Sequence, residues 1–462
     1  MATAGNPDVI VIGAGAAGIS AAIDIANAGL KVTILEARER IGGRIFTVSD
    51  PVHHLPVELG AEFIHGLPPE IWNLLNRNKV AVREVDGDNW CVEDGRFSTC
   101  DFFSAVDDVL EKLDDRQPDE SFAEFLRRYS STAKDSPQQR RAENWATRYV
   151  IGFNAADPAL VGVHWLLQEM RADEKIEGER SFRAQHGYAD LINIFEQQLQ
   201  DSRVSVSKGT VVHSVKWKRG RAEIRASSNR NFEVSAPRVL ITVPLGVLQA
   251  REDDKGAIQF QPDLPPEKRN AIRNIMMGAV IRITLRFRER FWANLPNSQD
   301  GKSKTMENMS FLFSQDDWFP TWWTTMPVKS PFITGWAPFH CAERLSGKSE
   351  SFVVEQALAT LHRLLGVNLE ELKVMLEHAY IHDWQSDTFA RGAYSYGKAG
   401  AKDAQLVLSL SIEDTLFFAG EATDLSGHNG TVHGAIASGR RAAAEVAKSA
   451  GSPLQTGKIR AR

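Results

Sequence analysis

The first clear pattern along the chain is Val9-Ile10-Val11-Ile12, an unbroken apolar run with β-branched residues beside glycine. It predicts a strand buried on both faces, as in a parallel sheet. Ala17 to Ala28 then fits a helix, with Gly29 placed as its left-handed cap, and Lys31 to Leu35 predicts a second strand. From about Leu67 to Gln200 the spacing turns helical: Ile71, Leu74 and Leu75 share a face, as do Phe102, Val106, Val109 and Leu110, and later Leu191, Ile194, Phe195 and Leu199. Strands return at 204–206, 211–215, 223–226 and 239–243. A block rich in aromatics follows from about Ile281 to Trp384, including a helix from Phe352 to Leu365 closed by Gly366. From Leu416 the chain reads strand, glycine loop, helix. This order predicts an α/β protein of two domains, each assembled from separated segments.

Composition narrows the class. At 462 residues the chain exceeds one ordinary core, and 43% hydrophobic with 24% charged residues excludes wholesale disorder and a multi-span membrane protein. Lys and Arg number 54 against 59 Asp and Glu, so there is no basic excess for nucleic acid. Cys91, Cys100 and Cys341 form no CxxC pair and are odd in number. They predict neither a disulfide framework nor a zinc site, and hence a reducing compartment, with no metal. The apolar stretch 9–30 lacks the basic flank of a signal peptide and is interrupted by Asp24. The expectation is a cytoplasmic protein with no membrane span.

Gly13-Ala14-Gly15-Ala16-Ala17-Gly18 opens the first helix directly after the first strand, and Glu36 ends the second strand. The glycines allow a tight turn and close approach of a pyrophosphate at the positive helix end, while the carboxylate is placed for ribose hydroxyls. Ala37 and Arg38 continue from that acid. Gly42-Gly43-Arg44 follows, offering backbone N–H groups and a guanidinium to the same diphosphate.

This second glycine pair is similar to that of the flavin-containing amine oxidase superfamily. Further segments carry the resemblance in order from about Val9 to Lys448: Gly60-Ala61-Glu62-Phe63-Ile64-His65-Gly66; Trp384 with Arg391-Gly-Ala-Tyr394-Ser-Tyr396; Leu416-Phe-Phe-Ala-Gly420-Glu421-Ala-Thr423; and Gly430-Thr431-Val432-His433-Gly434-Ala435. The motifs resemble polyamine oxidases most, with the Thr-Val-His-Gly-Ala stretch similar to lysine-specific histone demethylases. The resemblance implies a Rossmann-like FAD-binding domain (1–75, 205–285, 400–452) interleaved with an α+β substrate domain (76–204, 286–399), then a polar tail, 453–462. It assigns Gly13, Gly15, Ala17, Gly18, Glu36, Ala37, Arg38, Gly43, Arg44, Gly60, Ala61, Glu62, Phe63, Val212, Thr242, Trp384, Gly420, Glu421, Thr431 and Val432 to the cofactor.

The same resemblance places Tyr394 in an aromatic slot that suits a neutral amine by apolar and cation–π contact, unless it is a core aromatic. The helix beginning near Val432 would turn its positive end toward the flavin. Where the family carries a water-holding lysine this chain has Arg282, a swap that is not conservative at a positioned site, although an ordinary strand-end arginine is the alternative. Thr431 stands where monoamine oxidases have a second cage tyrosine, and Trp384 beside the slot. Ala393 replaces the cysteine of covalent-flavin enzymes, which implies non-covalent FAD. Glu62 and Phe63 offer no arginine for an amino-acid carboxylate. His65 can bind or deprotonate the amine, or be structural; His433 reads as structural.

The implied reaction is hydride transfer from the α-carbon of a neutral primary or secondary amine, a polyamine or arylalkylamine, to flavin N5, followed by imine hydrolysis and reoxidation by oxygen to peroxide. The alternatives are a dehydrogenase or desaturase using another electron acceptor, and a demethylase-like peptide-binding flavoprotein. Expected partners are the small amine and oxygen or another acceptor, for a monomer or homodimer.

Overall fold

The computed structural model describes residues 6–93, 95–132, 136–200, 202–295, 305–401 and 403–452; the polar tail lies outside them. Five parallel strands form one sheet in the order Val204–Ser207, Val32–Leu35, Val9–Ile12, Arg238–Ile241, Leu416–Phe418. Val9 lies opposite Val32 on one side and Arg238 on the other. Period-two alternation explains the unbroken apolar run. Val9 and Val11 enter one core with Ile19 and Ile25, whereas Ile10 and Ile12 enter another with Val239 and Ile241. The helix Ala16–Asn27 makes the crossover, and Gly29 (φ 92°) supplies the left-handed residue that follows it. The last helix, Val432–Ser449, lies against it so closely that a Cβ at Gly439 would meet the Ala17 carbonyl oxygen.

A second, seven-stranded sheet runs Leu376–Asp383, Val280–Phe287, Phe332–Pro338, Thr321–Thr324, Met309–Phe313, Asp88–Glu93, Arg96–Thr99. Val280–Phe287 is buried throughout, paired on both edges, and carries Arg282 into the interior. The expected boundary at 285 falls inside this strand. The helix Ala189–Gln200 also departs from its expected grouping, since Leu191, Ile194 and Phe195 share a core with Val9 and Val11 of the parallel sheet.

Two expectations are corrected. The segment from 67 to 200 is not wholly helical: Val82–Glu84, Asp88–Glu93, Arg96–Thr99 and Ser181–Ala184 are strands. They are short, and their stability comes from pairing with strands distant in sequence, such as Met309–Phe313 beside Asp88–Glu93. The hairpin also overturns the cysteine reading. It sets Cys91 opposite Ser98, ties the Cys100 N–H to the Asn89 carbonyl, and brings the Cys91 and Cys100 Cα atoms to 5.7 Å, where they form a disulfide. Cys341 is free and buried. The reducing compartment inferred from three unpaired cysteines therefore loses its basis. No helix among the described residues is long and apolar enough to cross a membrane.

Candidate active site

The ends of the parallel strands open on a cavity of about 980 Å³, and every residue singled out for cofactor or catalysis lines it except Gly18. Gly13, at φ 107°, turns the chain out of the first strand. Gly18 works from behind: a Cβ there would strike the Gly13 carbonyl oxygen at 2.1 Å. Thr242 fixes the turn, its hydroxyl donating to the Ile12 and Gly13 carbonyls at 2.9 and 3.1 Å. Added Cβ atoms at Gly15 and Gly420, by contrast, would meet no protein atom within 4 Å and would project into open space beside the cavity. That space, an exposed helix N-terminus and the Gly42–Gly43 loop bridged to Gly15 make a cradle that fits a diphosphate.

Glu36 is buried and oriented by two backbone donors, Ala14 N–H at 2.6 Å and Arg38 N–H at 2.8 Å. Each oxygen keeps a free acceptor direction, as ribose hydroxyls require. Val212 and Ala37 border the same end. Arg38 is less available than its position suggests, being paired with Asp387 at 2.5 Å. Arg44 bridges the Ala393 carbonyl (2.6 Å) and Glu421 (3.0 Å). Glu421 also accepts from Ser395 N–H and Oγ and from Gly430 N–H, so four donors converge on it. Its carboxylate ties the Tyr394 segment, the Gly430 turn and Arg44 together.

At the other end the cavity becomes aromatic. Tyr394 donates its hydroxyl to the Phe153 carbonyl at 2.7 Å, and Gly430 packs on its ring, where a Cβ would come within 3.1 Å. Tyr149 and Phe153 stack at 5.1 Å, and His65 meets Phe153 edge-on at 5.4 Å. Burial lowers the His65 pKa, with Asp173 drawing it part of the way back. Trp384 is locked by its indole N–H to the Leu59 carbonyl at 2.7 Å, and its ring would touch a Cβ on Gly60. Thr431 caps the last helix: its hydroxyl accepts from Gly434 N–H and donates to the His428 carbonyl. The helix end beginning at Val432 therefore faces the cavity with an ordered first turn.

Arg282 is not an ordinary strand-end arginine. It is buried, donating to the Gly60 carbonyl at 3.1 Å and to Glu62 at 2.5 Å, with its guanidinium 5.5 Å from the Trp323 ring centre. Glu62 also accepts from Arg183 Nε (2.6 Å) and Trp323 Nε1 (3.0 Å). Burial opposes its charge, but Arg282 and Arg183 prevail and hold the carboxyl below its usual range. Sequence reading missed Arg183, Tyr149 and Glu169. All three lie in the stretch between the glycine motifs and the β segment, where no spacing marks a residue as facing a cavity.

A nucleotide cradle that continues into an aromatic chamber defines a redox enzyme built on a dinucleotide cofactor. The comparisons define it further. The family model for flavin containing amine oxidoreductase matches residues 16–447, and the chain belongs to that family: it is a flavin-dependent amine oxidoreductase. It is 29% identical to polyamine oxidase 3 of Oryza sativa subsp. japonica, over 95% of this chain and 89% of that protein. It is 28% identical to lysine-specific histone demethylase 1 homolog 3 of Arabidopsis thaliana, again over 95% of this chain but only 30% of the demethylase. The solved structure of wild-type putrescine oxidase bound to putrescine shares the fold, with a TM-score of 0.77 at 19% identity, covering 96% of this chain and 99% of that one.

Proposed function

We propose that the protein is an FAD-dependent oxidase of di- or polyamines, with the cofactor bound non-covalently. The observation that carries the substrate class is the charge at the open end of the cavity. Exposed Glu84, Asp86, Asp107, Glu174 and Glu179 border it, and the nearby Arg180 is engaged by Glu84 and Glu177. Such an end attracts cations. Bound FAD supplies the acceptor for hydride from the amine α-carbon. The chain's own part is to orient and desolvate. Gly13, Gly15, Gly43 and Gly420 admit the diphosphate, Glu36 takes the ribose, and Ala393 leaves no thiol to tether the ring. Tyr394, fixed through Phe153, and Trp384, fixed through Leu59, form the slot, which favours the neutral amine over its ammonium form. His65, half-buried and of lowered pKa, is placed to take the proton the amine must lose.

We assign the cofactor half to 1–75, 205–279 and 400–452, joined by the helix Ala189–Gln200, and the remainder to the substrate half. Oxygen is the proposed electron acceptor, with peroxide as product. A second reading, dehydrogenase with another acceptor, is favoured by one observation: Arg282 is committed to Glu62 and the Gly60 carbonyl, whereas oxygen reduction gains most from a cation free to meet the developing negative charge. Anaerobic addition of an amine panel followed by oxygen admission tests both. Bleaching by diamines with rapid return of colour supports the oxidase. Bleaching without return supports the dehydrogenase, and bleaching only by a methylated peptide would replace both.

A further inference from the structure

Glu169 and Asp173 stand one turn apart on the helix Val163–Glu174, and both border the cavity. Glu169 receives one donor per oxygen, Trp165 Nε1 at 2.9 Å and Asn154 Nδ2 at 2.7 Å, so each oxygen keeps an acceptor direction. No described cation pairs with it. Beside it the wall carries a second unfilled polar group. His433 is only 2% exposed, lines the cavity, and has no hydrogen-bond partner at Nε2. Its ring lies 4.6 Å from that of His428, whose Nδ1 is 3.7 Å from Asp173. A half-buried carboxyl and a buried, unpartnered imidazole nitrogen lining one cavity are the fittings for a donor-rich cation.

We propose that Glu169, backed by Asp173 and the buried Nε2 of His433, is the subsite for a second, protonated nitrogen of the substrate, and that filling it expels a proton from Glu169. This rests on the amine-oxidoreductase reading of the cavity and names what distinguishes a diamine from a monoamine there. The step balances simply: the neutral carboxyl loses its O–H proton to solvent, and the carboxylate pairs with the incoming ammonium. Burial first, then the Asp173 charge, push the empty carboxyl up to about 8, with Trp165 and Asn429 opposing. It is therefore neutral at pH 7 until a cation arrives. The other groups facing this wall are Tyr149 and Arg148 from Pro137–Phe153, His65, Tyr394, Glu421 and His428. Tyr149 and Tyr394 are pushed up by burial and stay neutral, and burial keeps His433 uncharged.

The test uses the holoenzyme and a straight-chain alkane carrying a guanidine at each end, which stays protonated and is not oxidised. Calorimetry at pH 7 in buffers of different ionisation enthalpy counts the protons released. The expected result is close to one proton per site, with affinity rising about tenfold from pH 6 to 7 and levelling above about pH 8. Glu169→Gln removes the proton release and weakens binding at least tenfold. Binding by wild type with no proton release, or with flat pH dependence, overturns the subsite even if the variant fails to fold. So does the absence of binding. The parent reading fails separately, if anaerobic diamines leave the wild-type flavin unbleached.

Discussion

Removing the Glu62 carboxylate is the perturbation whose cost the structure bounds best. Glu62 is 10% exposed at its side chain and sits between Arg282 (6%) and Arg183 (17%), with the Trp323 indole as a third donor. Glu62→Gln strands two largely buried guanidinium groups at once, and breaking a buried pair by removing one partner costs about 3–5 kcal/mol. Arg282→Met is milder. It leaves Glu62 paired with Arg183 and bonded to Trp323, so the loss is on the order of 1–3 kcal/mol for one charged hydrogen-bonded partner. Urea unfolding of the holoprotein, followed by tryptophan fluorescence and flavin release together, measures both. The expected order of midpoints is wild type, then Arg282→Met, then Glu62→Gln. The pH sign follows from the lowered pKa of Glu62: its contribution is complete above the unfolded value of 4.5 and is lost as pH falls through the folded value. The Glu62→Gln deficit should therefore shrink in acid. Equal midpoints for Glu62→Gln and wild type, or a reversed order of the two variants, would refute the ion-pair account.

Other outcomes are as specific. Gly15→Val should lower flavin content per protein, read as visible absorbance, while leaving the far-ultraviolet circular dichroism of the fold unchanged, because the added side chain starts into the cradle. Tyr394→Ala should slow anaerobic bleaching by at least tenfold, with Tyr394→Phe keeping most of the rate because the ring wall remains. Acid precipitation should release the flavin into the supernatant, and flavin in the pellet would contradict the Ala393 argument. Thiol titration of the unfolded protein should find one thiol before reduction and three after; three before reduction would remove the Cys91–Cys100 bond.

The nucleotide end was legible because its chemistry constrains the backbone. A strand, a turn at φ 107° and a helix start leave glycines at Gly13, Gly15 and Gly18 whatever the rest of the chain does, and Glu36 follows at the next strand end. The aromatic end was legible only through resemblance, since Tyr394, Trp384 and Thr431 carry no local spacing of their own. The sequence also gave no sign of how positions far apart would meet. Arg282 and Glu62 are 220 residues apart, and their pairing changes Arg282 from a free cation to half of an ion pair. The hairpin at 88–99 is hidden in the sequence for the same reason. Its strands are held by Met309–Phe313, and without that partner the cysteines nine residues apart looked unrelated. Glu169 stayed hidden because helical spacing predicts which face is buried but not that a cavity lies behind it.

The central claim is that one cavity joins a flavin cradle to an amine slot with an acidic entrance. Stopped-flow absorbance of the purified protein, mixed without oxygen against diamines, polyamines, monoamines and amino acids, tests it most directly. The account predicts a yellow protein whose visible band bleaches fastest with di- or polyamines and not with amino acids. A colourless protein, or a flavin that no amine in the panel reduces, would contradict it.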